Sequence, residues 1–252
     1  MENAVICKPL PLQTFKFPQT LCLLVLAPHP DDFDAIAVTM RFFQHNGNPL
    51  HVLVATSGAK GVEDSFCSTP TAHLKSEIRE GEQKASCRFF GLAESNLKFL
   101  RLEEDKNGQL VESETNLQRI HEQFQNLKPK IVFLPHWNDT NLTHQKVYTL
   151  FQRLTRAAGY SLVAFLNRDP KTVRMRYDVY LEFGEKQAAW KAELLRFHRS
   201  QQQRNLNQRG HGMDERILRT DRQSAKACKL KMPYAEVFEL EFFGVKKLED
   251  IL

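Results

Sequence analysis

The sequence predicts an α/β fold: a Rossmann-like, mostly parallel sheet with helices on both faces and further strands and helices appended towards the C-terminus. Three observations predict it. Short, nearly continuous apolar runs recur along the first two-thirds of the 252 residues. Stretches with apolar residues at i, i+3, i+4 alternate with them. Glycines stand where such helices should stop. Apolar runs without a wet side suit strands buried between two helical layers, the habit of parallel sheets.

The first run, Leu21–Ala27 (LCLLVLA), has strand length and stops at Pro28. A helical stretch over Asp34–Gln44 follows, with Gly47 just beyond it. Leu50–Thr56 (LHVLVAT) is the second strand, and Ala72–Phe90 is a helix closed by Gly91. Leu97–Leu102 (LKFLRL), the helix Glu114–Leu127 and the strand Ile131–Pro135 (IVFLP) continue the alternation, and Thr143–Arg156 reads as a further helix. The last third changes character. Val173–Phe183 alternates apolar and polar residues, predicting a strand with one wet side. Glu185–Asn205 predicts one helix with Trp190, Leu194 and Phe197 on its apolar stripe. A turn at Gly210-His211-Gly212 leads to a second helical stretch, Asp214–Lys229, and Glu236–Phe242 closes as a strand. Neither a Pro/Gly/Ser linker nor an internal repeat divides the chain, so one domain over residues 1–252 is expected, with 1–19 as an N-terminal extension.

Bulk properties narrow the function. The longest apolar run has seven residues, Leu21–Ala27, far short of a membrane span. The first residues lack the charged start and apolar centre of a signal peptide, so a cytoplasmic protein without stable membrane insertion is expected. Five scattered cysteines without a C-x-x-C pair disfavour a disulfide scaffold and a thiolate zinc site. The formal charge of +5 is uneven: between Lys186 and Lys231 stand twelve Lys or Arg against four Asp or Glu. Such a block attracts nucleic acid or a phosphorylated small molecule. A solvated helical surface accounts for it more simply, which makes nucleic acid a disfavoured partner.

The chemistry concentrates after the first strand, in Pro28-His29-Pro30-Asp31-Asp32-Phe33-Asp34. A dinucleotide-binding turn needs glycines there to bring backbone against phosphate. This turn has none, and its carboxylates repel phosphate. A divalent metal suits it better, because catalytic zinc takes three His or carboxylate ligands and keeps one position open. His29 and Asp32 can both point into one site from a tight turn. The loop beyond Ile131–Pro135 offers a third ligand in His136, Asp139 or His144, and in a parallel sheet both loops leave the same edge.

In these segments the chain resembles the PIG-L/LmbE-like family of zinc-dependent de-N-acetylases. The resemblance rests on four motifs in order, spanning roughly Leu21 to Arg156: H-P-D-D at His29–Asp32; T-x-G-x-x-G at Thr56–Gly61; a helix carrying Arg79, Glu82 and Ala85; and a loop ending in His144. Later, His198–Gln201 (HRSQ) and Tyr234–Leu240 (YAEVFEL) look like the C-terminal part of some members. The resemblance implies His29, Asp32 and His144 as zinc ligands, with iron(II) the other ion open to such a set. It implies Asp31 as general base for a zinc-bound water that attacks an acetamide, and Arg79 as a substrate contact. His198 and Gln201 are candidate pocket residues. Many members have H-P-D-H where this chain has Asn141-Leu142-Thr143-His144, so the oxyanion role passes to Asn141 or His136. Phe33 and Val38 replace the usual Glu and Gly, which implies a changed pocket wall. Asp139 is expected to orient a ligand or to form a turn.

The function expected is therefore a zinc-dependent N-deacetylase, a hydrolase removing acetyl from an N-acetylated amino sugar such as N-acetylglucosamine or from a related amide. Its partner is a small N-acetylated substrate, and a homo-oligomer is compatible with the sequence. Two alternatives stand beside it. One is an Fe(II)-dependent enzyme using a two-His-one-Asp site. The other is a non-catalytic binding protein on the same fold, with the basic 186–231 region touching nucleic acid.

Overall fold

A computed structural model describes residues 9–252. Residues 1–8 of the expected N-terminal extension, including Cys7, lie outside the described residues. In chain order the regular elements begin with β1 (Leu10–Pro11), β2 (Leu23–Ala27), α1 (Ala37–Asn46), β3 (Leu50–Val54) and α2 (Ala72–Phe90). There follow β4 (Leu97–Phe99), α3 (Glu114–Leu127), β5 (Ile131–Pro135), α4 (Leu142–Ala158) and β6 (Leu162–Asn167). The C-terminal third holds β7 (Val179–Phe183), α5 (Glu185–Leu195), α6 (Arg199–Arg209), α7 (Met213–Ala227) and β8 (Tyr234–Phe243).

All eight described strands form one sheet in the order β1-β7-β8-β6-β5-β2-β3-β4. Only β8 runs against its neighbours, β6 and β7. The C-terminal strands thus extend the same sheet, and Leu10–Pro11 adds its last edge by pairing with β7. Alternation sorts the side chains of the central strands into two layers. Leu23, Val25 and Phe133 pack with Met40 and Phe43 of α1 and with Leu194 of α5. Leu24, Leu26 and Val132 pack with Ile120 and Phe124 of α3 and with Val147 and Phe151 of α4. Helices therefore cover both faces, as the apolar runs predict.

The order of strands places a reversal between β2 and β5. From β2 the chain adds β3 and β4 on one side, then crosses to build β5 and β6 on the other. The pairing of β2 with β5 covers only Leu23–Val25, whereas β2–β3 runs on to Ala27 and β5–β6 to Pro135. The two central strands part at their carboxyl ends, where open α/β sheets bind ligands.

Three sequence expectations need correction. Glu185–Asn205 is two helices, because Glu82 of α2 accepts hydrogen bonds from the Ser200 backbone N–H and hydroxyl, both at 2.7 Å, and starts α6 afresh. Within Val173–Phe183 only Val179–Phe183 is a strand. Upstream of it the backbone is bound irregularly, the Val173 N–H donating to Asn138 O and the Arg176 N–H to Glu239. The run Leu162–Asn167, unremarked in the sequence, is a fully buried central strand.

Candidate active site

The turn after β2 is held in a conformation it would not adopt alone. Asp31 has φ of 131°, a left-handed backbone that costs a non-glycine residue on the order of 1–3 kcal/mol. Two groups from α2 hold it there. The Gln83 carboxamide oxygen accepts the Asp31 N–H at 2.9 Å, and the Arg79 guanidinium donates to Pro30 O and lies 3.0 Å from Asp31 Oδ2. Gln83 is itself fixed by Asp34, which also receives the Ser86 hydroxyl and pairs with His198. Gly58, with φ of 63°, leaves the room that Arg79 needs: a Cβ there would fall 3.2 Å from Arg79 Nε. Asp31 Oδ2 is thereby bound, while Oδ1 keeps no protein partner among the described residues.

The neighbouring carboxylate faces the other way. Asp32 Oδ2 accepts the His29 N–H at 2.7 Å and lies 3.3 Å from His29 Nδ1, while Oδ1 lies 3.5 Å from His144 Nε2. His144 stands in the first turn of α4, whose start is built by Asp139 and Asn141. Asp139 Oδ1 accepts the Asn141 N–H, and the Asn141 side-chain oxygen caps the helix by accepting the Thr143 N–H. Asp139 Oδ2 sits 3.3 Å from His144 Nδ1. One Asp thus forms the turn and orients the His144 imidazole, and it makes no hydrogen bond with Asp31. With Nδ1 engaged, His144 turns Nε2 toward Asp32 and His29.

Donor atoms of His29, Asp32 and His144 all lie within 4.8 Å of one another. His144 Nε2 is buried with no hydrogen-bond partner. An orphaned buried polar atom costs about 1–3 kcal/mol unless something binds it. A divalent ion would satisfy that atom and suits the His/Asp/His donor set. The electrostatics agree. Burial alone would raise the Asp32 carboxyl, but His144, His29 and Lys171 overcome it and hold the group well below the usual carboxylate range. Burial opposes charge on His144, yet Asp32, Asp139 and Asp169 raise its imidazole. The cluster is arranged to hold positive charge.

A cavity of about 600 Å³ opens beside this cluster, lined by His29, Asp31, Asp32, Arg79, Asn141 and Gln201 among the residues predicted from sequence. Asn141 spends its side-chain oxygen on the helix cap, so its amide nitrogen is the group left to donate into the cavity. Gln201 lines the wall and ties it to the T-x-G-x-x-G loop by donating to Gly61 O at 2.9 Å. Arg79 is 2% exposed and committed to the H-P-D-D turn. His144 is fully buried against Asp32. Two candidates stand apart from the cavity: His136 pairs with Glu239 at 3.2 Å, and His198 is fully buried on Asp34. Phe33 corrects a further expectation, because it packs edge-on to Phe90 in the core, ring centroids 5.0 Å apart, and forms no pocket wall. Val38 likewise is a core residue of α1.

Sequence reasoning missed Asp169 and Lys171, which line the cavity just after β6. Asp169 also forms a second close group with Asp139 and His144. The pattern was present in "LVAFLNRDP": an apolar run ending in polar residues at the same sheet edge as the H-P-D-D turn.

Comparison with known proteins adds the following. The family model described as PIG-L, GlcNAc-PI de-N-acetylase, matches residues 24–155. No curated protein matches the sequence. Among solved structures, N,N'-diacetylchitobiose deacetylase from Pyrococcus horikoshii is similar at 16% identity and a TM-score of 0.72, covering 91% of this chain and 88% of that one. The 4-carboxy-2-hydroxymuconate hydratase GalB from Pseudomonas putida KT2440 is similar at 18% identity and 0.69, covering 90% and 98%. The zinc-inhibited form of the teicoplanin deacetylase Orf2 is similar at 14% and 0.66, covering 89% and 99%. Likeness at such identities is likeness of fold.

Proposed function

Because the chain belongs to the PIG-L family, the GlcNAc-PI de-N-acetylases, we propose that it is a metal-dependent N-deacetylase that hydrolyses the acetamide of an N-acetylated amino sugar or a related amide. The observation that carries the reading is the convergence of His29, Asp32 and the unpartnered Nε2 of His144 at the parting of β2 and β5, with Asp31 beside them. A fold shared by deacetylases and a hydratase does not by itself choose a reaction, so the weight rests on the family and on this geometry.

His29, Asp32 and His144 would hold the ion, zinc or iron(II). Bound there, it would supply Lewis acidity, polarising the acetamide carbonyl and making a water acidic near neutral pH. Asp31 is the general base: it lines the cavity, its Oδ1 has no protein partner among the described residues, and Arg79 holds Oδ2 and keeps the carboxylate in place. The proton taken from water passes by way of Asp31 to the leaving amine nitrogen. Asn141 donates its amide N–H to the developing oxyanion. Arg79 acts through Asp31, as a positioning residue. The whole chain, 1–252, is taken as the working unit, since β8 and α5 to α7 complete the sheet and the cavity.

The test is acetate release from a panel of N-acetyl sugars by the zinc-reconstituted protein and by Asp31→Asn. The reading expects wild-type turnover, with the variant keeping its metal by elemental analysis while losing about 100- to 10,000-fold in kcat. Full activity in the variant would remove Asp31 as base; no acetate from any amide by metal-loaded protein would sink the hydrolase.

A further inference from the structure

The geometry points to a substrate that carries a phosphate group, docked among Arg204, Arg209, Arg216, Lys60 and Lys171 on the wall of the cavity. This rests on the deacetylase reading only in assigning the phosphate to the same molecule as the amide; the anion site itself stands on the residues below.

Five cationic side chains from separate parts of the chain line one cavity: Lys60 from the T-x-G-x-x-G loop, Lys171 after β6, Arg204 and Arg209 on α6, and Arg216 on α7. None of the five has an ion-pair partner among the described residues. Unpaired cations are common on the open surface of this protein, but these five share one concave wall, whereas partly buried cations such as Lys75 and Lys191 meet carboxylates. Arg209 donates only to Gln208, and Asp169 is the one carboxylate lining the cavity apart from Asp31 and Asp32. Bringing like charges together in a concave wall opposes folding unless an anion answers them. Arg216 registers the crowding: burial pulls its guanidinium down, and Arg209 and Arg204 add to that against Asp169 and Asp139.

The cations are also braced. The Lys60 stem lies across Gly108, where a Cβ would fall 2.4 Å from Lys60 Cγ. Arg204 rests on Gly61, where a Cβ would stand 3.4 Å from its guanidinium. Three guanidinium forks offer more donors than one carboxylate can accept, whereas a phosphate takes them on several oxygens. A concave site favours a small molecule over a nucleic acid, which needs an open basic face. Within the rest of the basic 186–231 block, Lys191 is buried on Asp221 and Glu236, and Arg196 and Arg222 meet Asp214 and Glu185.

The experiment compares N-acetylglucosamine, N-acetylglucosamine 6-phosphate, N-acetylmuramic acid, inorganic pyrophosphate and single-stranded DNA and RNA oligonucleotides by calorimetry and, for the amides, by acetate release. The proteins are zinc-loaded wild type, the Arg204→Gln/Arg216→Gln double variant and Arg219→Gln, which removes an exposed charge outside the cavity. The expected result is at least tenfold tighter binding of the sugar phosphate than of the neutral sugar, weakening as salt rises. The double variant loses that advantage, with KM raised and kcat kept, while Arg219→Gln retains it. Equal binding of neutral and phosphorylated sugars, or a double variant that binds as wild type does, overturns the proposal. Preference for N-acetylmuramic acid overturns it in favour of a carboxylate. Tight binding of single-stranded DNA or RNA, weakened alike by both sets of substitutions, overturns it in favour of nucleic acid. Arginine-dependent phosphate binding without acetate release from any amide upholds the anion site and removes the deacetylase; acetate release indifferent to the anion does the reverse.

Discussion

Two buried clusters of charge lie on opposite accounts of the same rule. On the inner side, Lys191 of α5 is fully buried with Nζ 2.7 Å from both Asp221 and Glu236. Glu236 also accepts the N–H groups of Val38 and Thr39, capping α1, whose own N-cap position is Ile36. There the cation and the helix start find their partners within the protein. At the sheet edge, His144 and Asp139 are as buried and His29 and Asp32 are half-buried, yet His144 Nε2 is left without a hydrogen bond and Asp31 is held in a strained backbone. A satisfied polar cluster specifies packing; one left short at a cavity is waiting for a ligand. The comparison teaches that burial of charge alone does not mark a site, nor does one orphaned atom, since His198 Nδ1 and Thr39 Oγ1 are orphaned away from the cavity; the combination of the two beside a cavity does.

The sharpest break of that contrast is His144→Ala. It should abolish metal binding and turnover while leaving the fold, because α4 keeps its Asn141 cap; elemental analysis and far-UV dichroism read the two separately. Retained stoichiometric metal would mean that the edge cluster is not the ligand set. Lys191→Met should do the opposite. Leaving Asp221 and Glu236 buried without their cation costs about 3–5 kcal/mol, measured by denaturant unfolding, with metal content per folded molecule unchanged. A variant as stable as wild type would show that the inner cluster contributes no more than the outer.

Asn141 belongs to both worlds, since its oxygen serves the helix while the residue lines the cavity. Asn141→Asp keeps the cap and loses the donor. Its stability should hold to within a few tenths of a kcal/mol, because Asp caps as well as Asn, while kcat falls about 100- to 1000-fold, the usual loss for one oxyanion donor. A fall in stability with unchanged kcat would leave Asn141 as a cap alone.

The same contrast explains what could be read from the sequence. Strands β2, β3 and β5 and the H-P-D-D turn were legible because local pattern and final structure agree there. The break before α6 was not: Arg196-Phe197-His198-Arg199 holds neither Gly nor Pro, and the new helix start is imposed by Glu82, 118 residues away in the chain. The missing cap of α1 is likewise supplied from β8, 198 residues on. Strand β6 is a short apolar run of the kind that periodicity cannot tell from a buried helix segment. With β6 unseen, Asp169 and Lys171 had no reason to be placed at the ligand edge. His29 and Asp32 were accessible because they follow a strand end directly; His198, a candidate pocket residue, here supports Asp34 from behind.

The smallest expected effect tests the inner cluster by pH. Two carboxylates share one buried ammonium, so a negative charge is left over. Burial, with Glu236 adding, pushes the Asp221 carboxyl up to about 7 in spite of Lys191. A carboxyl raised above its unfolded value contributes stability at low pH that is lost as pH rises from about 4 through about 7. Asp221→Asn removes that titration while preserving Lys191–Glu236 as a one-to-one pair. Its unfolding free energy should therefore vary less with pH across that window than wild type does, and at pH 8 it should equal or exceed wild type. A variant that instead loses stability at pH 8 would mean that both carboxylates are needed to hold Lys191. The inner cluster would then need both of its carboxylates to balance the one cation.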